Sequence, residues 1–160
     1  MKKTLNVGCG SRTYQEYPTG YLCTNMDERA TLNAVDIVDD VTDLSMFASG
    51  EFSYVLASDI LEHFPISKTE SILKEWVRVL KTGGLIEFRV PNLAEICKQY
   101  SGSNARHISW LLYGGQDYSG NFHYVCFDKN LLTEYCTLVG LSVIEYREEG
   151  TNFILLAKKQ

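Results

Sequence analysis

The segment LSVIEYREEGTNFILLA, residues 141–157, holds two strand-like runs, Leu141 to Tyr146 and Asn152 to Ala157, joined by a turn around Glu149-Gly150. So short a link makes the two runs antiparallel, because a parallel pair needs a crossover of about a dozen residues or more. The apolar runs upstream are spaced differently. Thr4 to Val7 ends at Gly8-Cys9-Gly10, and Tyr21 to Met26 ends at Asp27. Ala34 to Val38 is a weaker run among Asp36, Asp39 and Asp40, Phe52 to Ala57 is a clear one, and Leu85 to Val90 stops at Pro91. Short apolar runs separated by longer stretches predict buried parallel strands. The expectation is an α/β fold with a mostly parallel sheet that ends in an antiparallel hairpin.

Helix signals fill the gaps. Ser67 and Glu70 have the spacing of a capping box, Ile72, Leu73, Trp76, Val77 and Leu80 share one apolar face, and Gly83-Gly84 supplies a stop. Asp128 is placed to cap a second helix with Leu131, Leu132, Tyr135, Cys136 and Val139 on its face, ending at Gly140. Residues 92–124 break the alternation with two short helical stretches, Leu93 to Tyr100 and Ala105 to Tyr113, and a glycine-rich loop. Excursions of that length are often lids or binding loops.

The whole chain, 160 residues with 45% hydrophobic content and a formal charge of -5, reads as one domain, 1–160, with 92–124 as its lid. Disorder and a disulfide-stapled miniprotein are both excluded by that composition. Five widely spaced cysteines, Cys9, Cys23, Cys97, Cys126 and Cys136, form no C-x-x-C and read as reduced thiols. With no membrane-spanning run and no leader pattern, a cytoplasmic location is expected. The acidic balance makes nucleic acid an unlikely partner, since phosphate binding needs clustered Lys and Arg.

Chemistry concentrates at the ends of the first two strands. Gly8-x-Gly10 permits a tight turn and close approach of backbone to a ligand, and Asp27 is placed to accept hydrogen bonds from ribose hydroxyls. Five ordered stretches, LNVGCG (Leu5 to Gly10), TNMD (Thr24 to Asp27), DVTDL (Asp40 to Leu44), ASDILEHF (Ala57 to Phe64) and VLKTGGLIEFRVPN (Val79 to Asn92), resemble class I S-adenosylmethionine-dependent methyltransferases of the small type 11-like kind. The resemblance implies a Rossmann-like, doubly wound, seven-stranded sheet with an antiparallel last strand, and S-adenosylmethionine as cofactor, with S-adenosylhomocysteine as product. It implies that Gly8, Cys9 and Gly10 pass the methionine part and that Asp27 holds the ribose. By the same resemblance Met26, Asp43 and Leu44 lie about the adenine, and Ser58 sits beside the methionine moiety. His63, paired with Glu62 on the turn after the fourth strand, reads as holding that loop in shape and lining the cofactor pocket. After Gly10 the chain departs from the fuller glycine motif with Ser11-Arg12-Thr13, where Arg12 is a substitute contact for the methionine carboxylate.

Methyl transfer is a displacement at carbon, so positioning and water exclusion matter most. A hydroxyl or protonated amine acceptor also needs a base. His123 is the favoured candidate, with Asp59 at the strand end as substrate-facing partner and His107 as a surface residue. Trp110, Tyr113, Tyr118, Phe122 and Tyr124 are candidates to wall a pocket for a ring-shaped acceptor, small or glycan-like. A second subunit or partner protein is the other way to close the site. No metal is expected: His123, Cys126 and Cys136 lack a second ligand pair, and Asp36, Asp39, Asp40 and Asp43 read as a polar strand edge. Two rivals remain. A nicotinamide-dependent oxidoreductase uses the same turn and acid, but the third glycine is absent; a non-catalytic binding subunit would hold cofactor on behalf of a partner.

Overall fold

The structure is a computed structural model that describes residues 1–29 and 34–160. Seven strands form one sheet in the order β3-β2-β1-β4-β5-β7-β6. They are β1 (Lys2–Val7), β2 (Tyr21–Asp27), β3 (Ile37–Val38), β4 (Phe52–Ser58), β5 (Leu80–Pro91), β6 (Leu141–Glu149) and β7 (Asn152–Lys159). The first five run parallel, whereas β7 pairs antiparallel with both β5 and β6. The α/β class and the terminal hairpin are therefore as the sequence predicts.

Register puts a continuous apolar face on one side of the sheet. Leu5 pairs Val55, Val55 pairs Ile86 and Ile86 pairs Ala157, and one step along Val7, Ala57, Phe88 and Leu155 repeat the row. These residues join α1 (Ile66–Val79) and α4 (Lys129–Leu138) in one buried cluster through Ile72, Leu73, Trp76, Leu132 and Cys136. Each large side chain removed from water contributes roughly 1.5–3 kcal/mol, so this face dominates the fold's stability. Trp76 also donates its indole N–H to the Val41 carbonyl at 2.8 Å, which fixes the segment after β3 onto α1.

The other face is built differently. Segment 11–20 contains no helix and crosses it with polar ties. Asn6 donates to the Arg12 carbonyl at 2.9 Å and to Asn25 Oδ1 at 3.1 Å, while Asn25 donates to the Tyr14 carbonyl at 2.8 Å. The Tyr17 hydroxyl donates to Glu87 at 2.7 Å, and the Tyr54 hydroxyl donates to the same carboxylate. Thr4, Asn6 and Asn25 are buried here, which is tolerable because their polar atoms are partnered.

Four local expectations need correction. The capping box does not form: Pro65 is the N-cap, Ser67 lies inside the first turn, and Glu70 pairs with Lys74 at 2.6 Å. Proline at that point already ends the extended chain and starts the helix, leaving no capping role for Ser67. Gly83-Gly84 does not stop α1, which ends at Val79 as Leu80 enters β5. Those glycines instead serve an irregularity in β5, where Gly83 has φ +74° and a Cβ on Gly84 would lie 2.8 Å from the Lys81 carbonyl oxygen. Lys159 donates to the carbonyls of Val77 and Leu80, both at 2.7 Å, and so caps the helix from β7. The run Ala34 to Val38 shrinks to the two residues Ile37–Val38, since Ala34 has φ +64°, outside the β region. The helical stretch Leu93 to Tyr100 ends early, as α2 (Leu93–Lys98), while α3 (Ala105–Tyr113) and the Asp128 cap on Leu131 N, at 2.8 Å, agree with expectation.

Candidate functional site

The chain runs outward from β1 to β2 to β3, then returns to β4 on the opposite flank of β1, so a crevice opens beyond the carboxyl ends of β1 and β4. Open α/β sheets bind ligands at such a switch point. Gly8 turns there with φ +65°, and its Cα lies so close to the segment after β4 that a Cβ would sit 2.4 Å from Ile60 Cγ1. Only glycine fits that position without displacement.

Asp27, at the end of β2, is 3% exposed. Its Oδ2 accepts the Gly10 N–H at 2.8 Å, and its Oδ1 accepts the Arg29 backbone N–H at 3.0 Å. The Arg29 guanidinium forks across both oxygens, Nε to Oδ1 at 2.8 Å and Nη2 to Oδ2 at 3.1 Å. Burial alone would raise the Asp27 pKa, but the Arg29 and Gly10 donors more than offset it and hold the carboxyl below its usual range. Arg29 also donates through Nη1 to the Tyr118 hydroxyl at 3.0 Å, linking the acid to the loop after α3.

A cavity of about 250 Å³ spans these groups, lined by Gly8, Asp27, Arg29, Val41, Asp59, Ile60, His63, Phe64, Tyr118 and Tyr124 among others. A second, of about 240 Å³, shares Gly8, Arg29 and Asp59 and adds Cys9, Gly10, Arg12 and Ser58. Asp59, in the left-handed region at φ +54°, accepts Arg12 Nη1 at 2.8 Å, Asn152 Nδ2 at 2.8 Å and the Ser58 hydroxyl at 3.1 Å. Arg89 also donates to it, and Arg89 in turn meets Glu149 at 2.5 Å. A non-glycine residue in that conformation stores strain of order 1–3 kcal/mol, of the kind found at ligand sites.

The structure thus brings Gly8, Cys9, Gly10, Asp27, Ser58, Asp59 and His63 together on one crevice. Met26 and Leu44 instead lie fully buried in the core, in the same cluster as Val41, which does face the cavity. Asp43 is exposed and folds back to accept the Ser45 N–H at 2.9 Å. Cys9 is an inert thiol, its pKa pushed up to about 11 chiefly by burial and then by Asp27.

His123 is not on the cavity wall. It stands behind His63, the two rings edge-to-face at 4.9 Å. His63 Nδ1 meets the Phe122 carbonyl and His123 Nδ1 the Leu111 carbonyl, each at 3.1 Å. Burial pushes both imidazoles below their ordinary pKa. Of the loop aromatics, Tyr118 and Tyr124 line the cavity, whereas Trp110 and Tyr113 are each 58% exposed to solvent.

Sequence reasoning did not single out Arg29, Ile60, Arg89 or Asn152 as site residues. Arg29 had one readable signal, its place two residues after Asp27; the others are brought in by strand pairing and by the turn after β4.

The model of the methyltransferase domain family matches residues 5–88, more than half of the chain. Among curated proteins no sequence matches. Solved structures of the same fold include a SAM-dependent methyltransferase from Methanosarcina mazei, 19% identical, with 98% of this chain and 92% of that chain covered at TM-score 0.70. A SAM-dependent methyltransferase from Archaeoglobus fulgidus is 14% identical, with 99% and 86% covered at TM-score 0.71. The Burkholderia thailandensis 1,6-didemethyltoxoflavin-N1-methyltransferase, solved with its substrate and S-adenosylhomocysteine, is 14% identical, with 99% and 72% covered at TM-score 0.70. Among the described residues no helix is long and apolar enough to cross a membrane. By its matched family model and its sheet order, this chain belongs to the class I S-adenosylmethionine-dependent methyltransferases.

Proposed function

We propose that this protein transfers the methyl group of S-adenosylmethionine to an oxygen or nitrogen of a small or glycan-like acceptor. The observation that carries the reading is Asp27, a buried and ionised acid hydrogen-bonded to the Gly10 amide at the switch point, on the wall of the same cavity as Gly8. In this reading the ribose hydroxyls take over part of the Arg29 fork on Asp27. Val41 supplies the apolar wall for adenine, backed by Met26 and Leu44, with Asp43 beyond it. Gly8, Cys9, Gly10 and Ser58 pass the methionine part, and the Arg12 guanidinium is the cation nearest its carboxylate.

The acceptor enters on the side of Asp59, His63, Tyr118 and Tyr124, where two tyrosine faces suit a planar or sugar ring. Its oxygen or nitrogen lone pair forms the new bond to carbon as the carbon–sulfur bond breaks and its electrons return to sulfur. An acceptor proton, where there is one, passes to the His63–His123 pair. Asp59 holds the geometry and is a positioning residue, because Arg12, Arg89, Asn152 and Ser58 already occupy its oxygens. The exposed aromatics of α3 leave room for a second subunit or partner to complete the acceptor side. A cytoplasmic location fits the reduced cysteines.

Calorimetric titration with S-adenosylmethionine and S-adenosylhomocysteine, with NADH as control, tests this. The expected result is micromolar binding of the sulfur nucleosides, lost in Asp27→Ala. Binding of NADH alone would refute it in favour of an oxidoreductase. Tight cofactor binding with no turnover across hydroxyl and amine acceptors would favour a non-catalytic binding subunit.

A further inference from the structure

At the cavity wall and directly behind it, one donor atom from each of Glu62, His63 and His123 lies within 4.8 Å of the other two. Glu62 is 1% exposed, and among the described residues neither of its carboxylate oxygens has a hydrogen-bond partner. A buried carboxyl without partners is costly, and native structures rarely leave one so unless something else occupies the space. Both neighbouring rings direct Nδ1 at a backbone carbonyl, Phe122 for His63 and Leu111 for His123, each at 3.1 Å. In a neutral imidazole that makes Nδ1 the N–H donor and Nε2 the lone-pair nitrogen, which is the arrangement a metal-ligating histidine adopts.

We propose that Glu62, His63 and His123 bind one divalent transition-metal ion that ties the return of the 114–124 loop to the turn at Leu61–His63. The donor set of two imidazoles and one carboxylate suits zinc and its neighbours, while calcium and magnesium favour oxygen-only sites. Metal–donor distances of about 2.0–2.2 Å place tetrahedral donors roughly 3.4 Å apart, so loading draws these three side chains together by up to about 1.4 Å. The backbone is already joined there: the Glu62 carbonyl accepts the Tyr124 N–H at 2.8 Å and the Val125 N–H at 3.4 Å, next to His123. The ion adds a side-chain clamp to that seam. It also takes the lone pairs that would otherwise receive a proton from an acceptor, so the loaded site orders the loop at the expense of an imidazole base.

The test is equilibrium dialysis of the chelator-stripped full chain against Co²⁺ and Zn²⁺ alone, followed by visible spectroscopy of the Co²⁺ form and limited proteolysis of the 114–124 loop. One equivalent should bind with the strong ligand-field bands of a low-coordinate nitrogen and oxygen site, and cleavage of the loop should slow several-fold. Glu62→Gln and His123→Gln should each weaken binding at least tenfold and abolish the protection, with folding checked by circular dichroism. Cys126→Ser should change neither. Absence of stoichiometric binding, wild-type affinity in both variants, or a sulfur-to-cobalt charge-transfer band would overturn the proposal. Binding of S-adenosylhomocysteine is read separately, so failure here and failure of the methyltransferase reading are distinguishable.

Discussion

Gly8→Ala should be among the most damaging single-atom changes available in this chain. Two costs add. At φ +65° an L-residue sits in the left-handed region, about 1–2 kcal/mol above a glycine there. The new Cβ would also fall 2.4, 2.5 and 2.9 Å from Ile60 Cγ1, Cδ1 and Cβ, well inside the ~3.5 Å of a favourable carbon contact. Overpacking of that kind costs about 1–3 kcal/mol once neighbours shift, so the expected loss is roughly 2–5 kcal/mol. Gly10→Ala is the internal control. It also has positive φ, +54°, but its Cβ would meet only Arg29 Nη2, at 3.2 Å, so about 1–2 kcal/mol is expected. Urea denaturation of Gly8→Ala, Ile60→Ala and the double variant gives the coupling between the two sites. Truncating Ile60 removes the two closest contacts, at 2.4 and 2.5 Å, and leaves its Cβ at 2.9 Å and the backbone strain, so the double variant should recover at least about 1 kcal/mol relative to additivity. Strict additivity, or Gly8→Ala within about 0.5 kcal/mol of the parent, would refute the argument that close approach of β1 to Ile60 builds this turn.

Tyr17→Phe removes a hydroxyl that donates to Glu87 and should destabilise by about 1.5–3 kcal/mol in the same denaturation assay, since segment 11–20 has polar ties where a helix would have an apolar face. On the acid side, Asp27 and Glu75 both have pKa values held down by arginine partners, Arg29 and Arg78. Their stabilisation is therefore present above about pH 4 and is lost as pH falls through their lowered folded-state values. Asp27→Asn should flatten the acid limb of a melting-temperature profile, and an unchanged limb would count against the Arg29 fork.

The hairpin was legible because a turn at Glu149-Gly150 leaves the chain no way to make Leu141 to Ala157 parallel. The Gly8-Cys9-Gly10 turn and Asp27 were legible for a related reason, since residue type and distance from a strand end are local properties. The Asp128 cap succeeded on the same basis. Ser67-x-x-Glu70 misled because Pro65, two residues earlier, had already set the helix start. Gly83-Gly84 looked like a helix stop, yet pairing of β5 with β4 put both glycines inside an irregular strand.

For the site the division is sharper. The sequence by itself determined the strand pattern, the antiparallel ending, the turn that approaches a ligand and the acid at the end of β2, because each follows from residues within a few positions of one another. Only the tertiary structure decided that Arg29 ties Asp27 to Tyr118, that two arginines and Asn152 immobilise Asp59, that His123 stands behind His63, and that Glu62 is buried without a partner. Those facts depend on β1, β4, β5 and β7 lying side by side and on the 114–124 loop folding back over the turn after β4. Contacts between residues 30 to 90 positions apart are set by packing and register, which no local run of residues encodes.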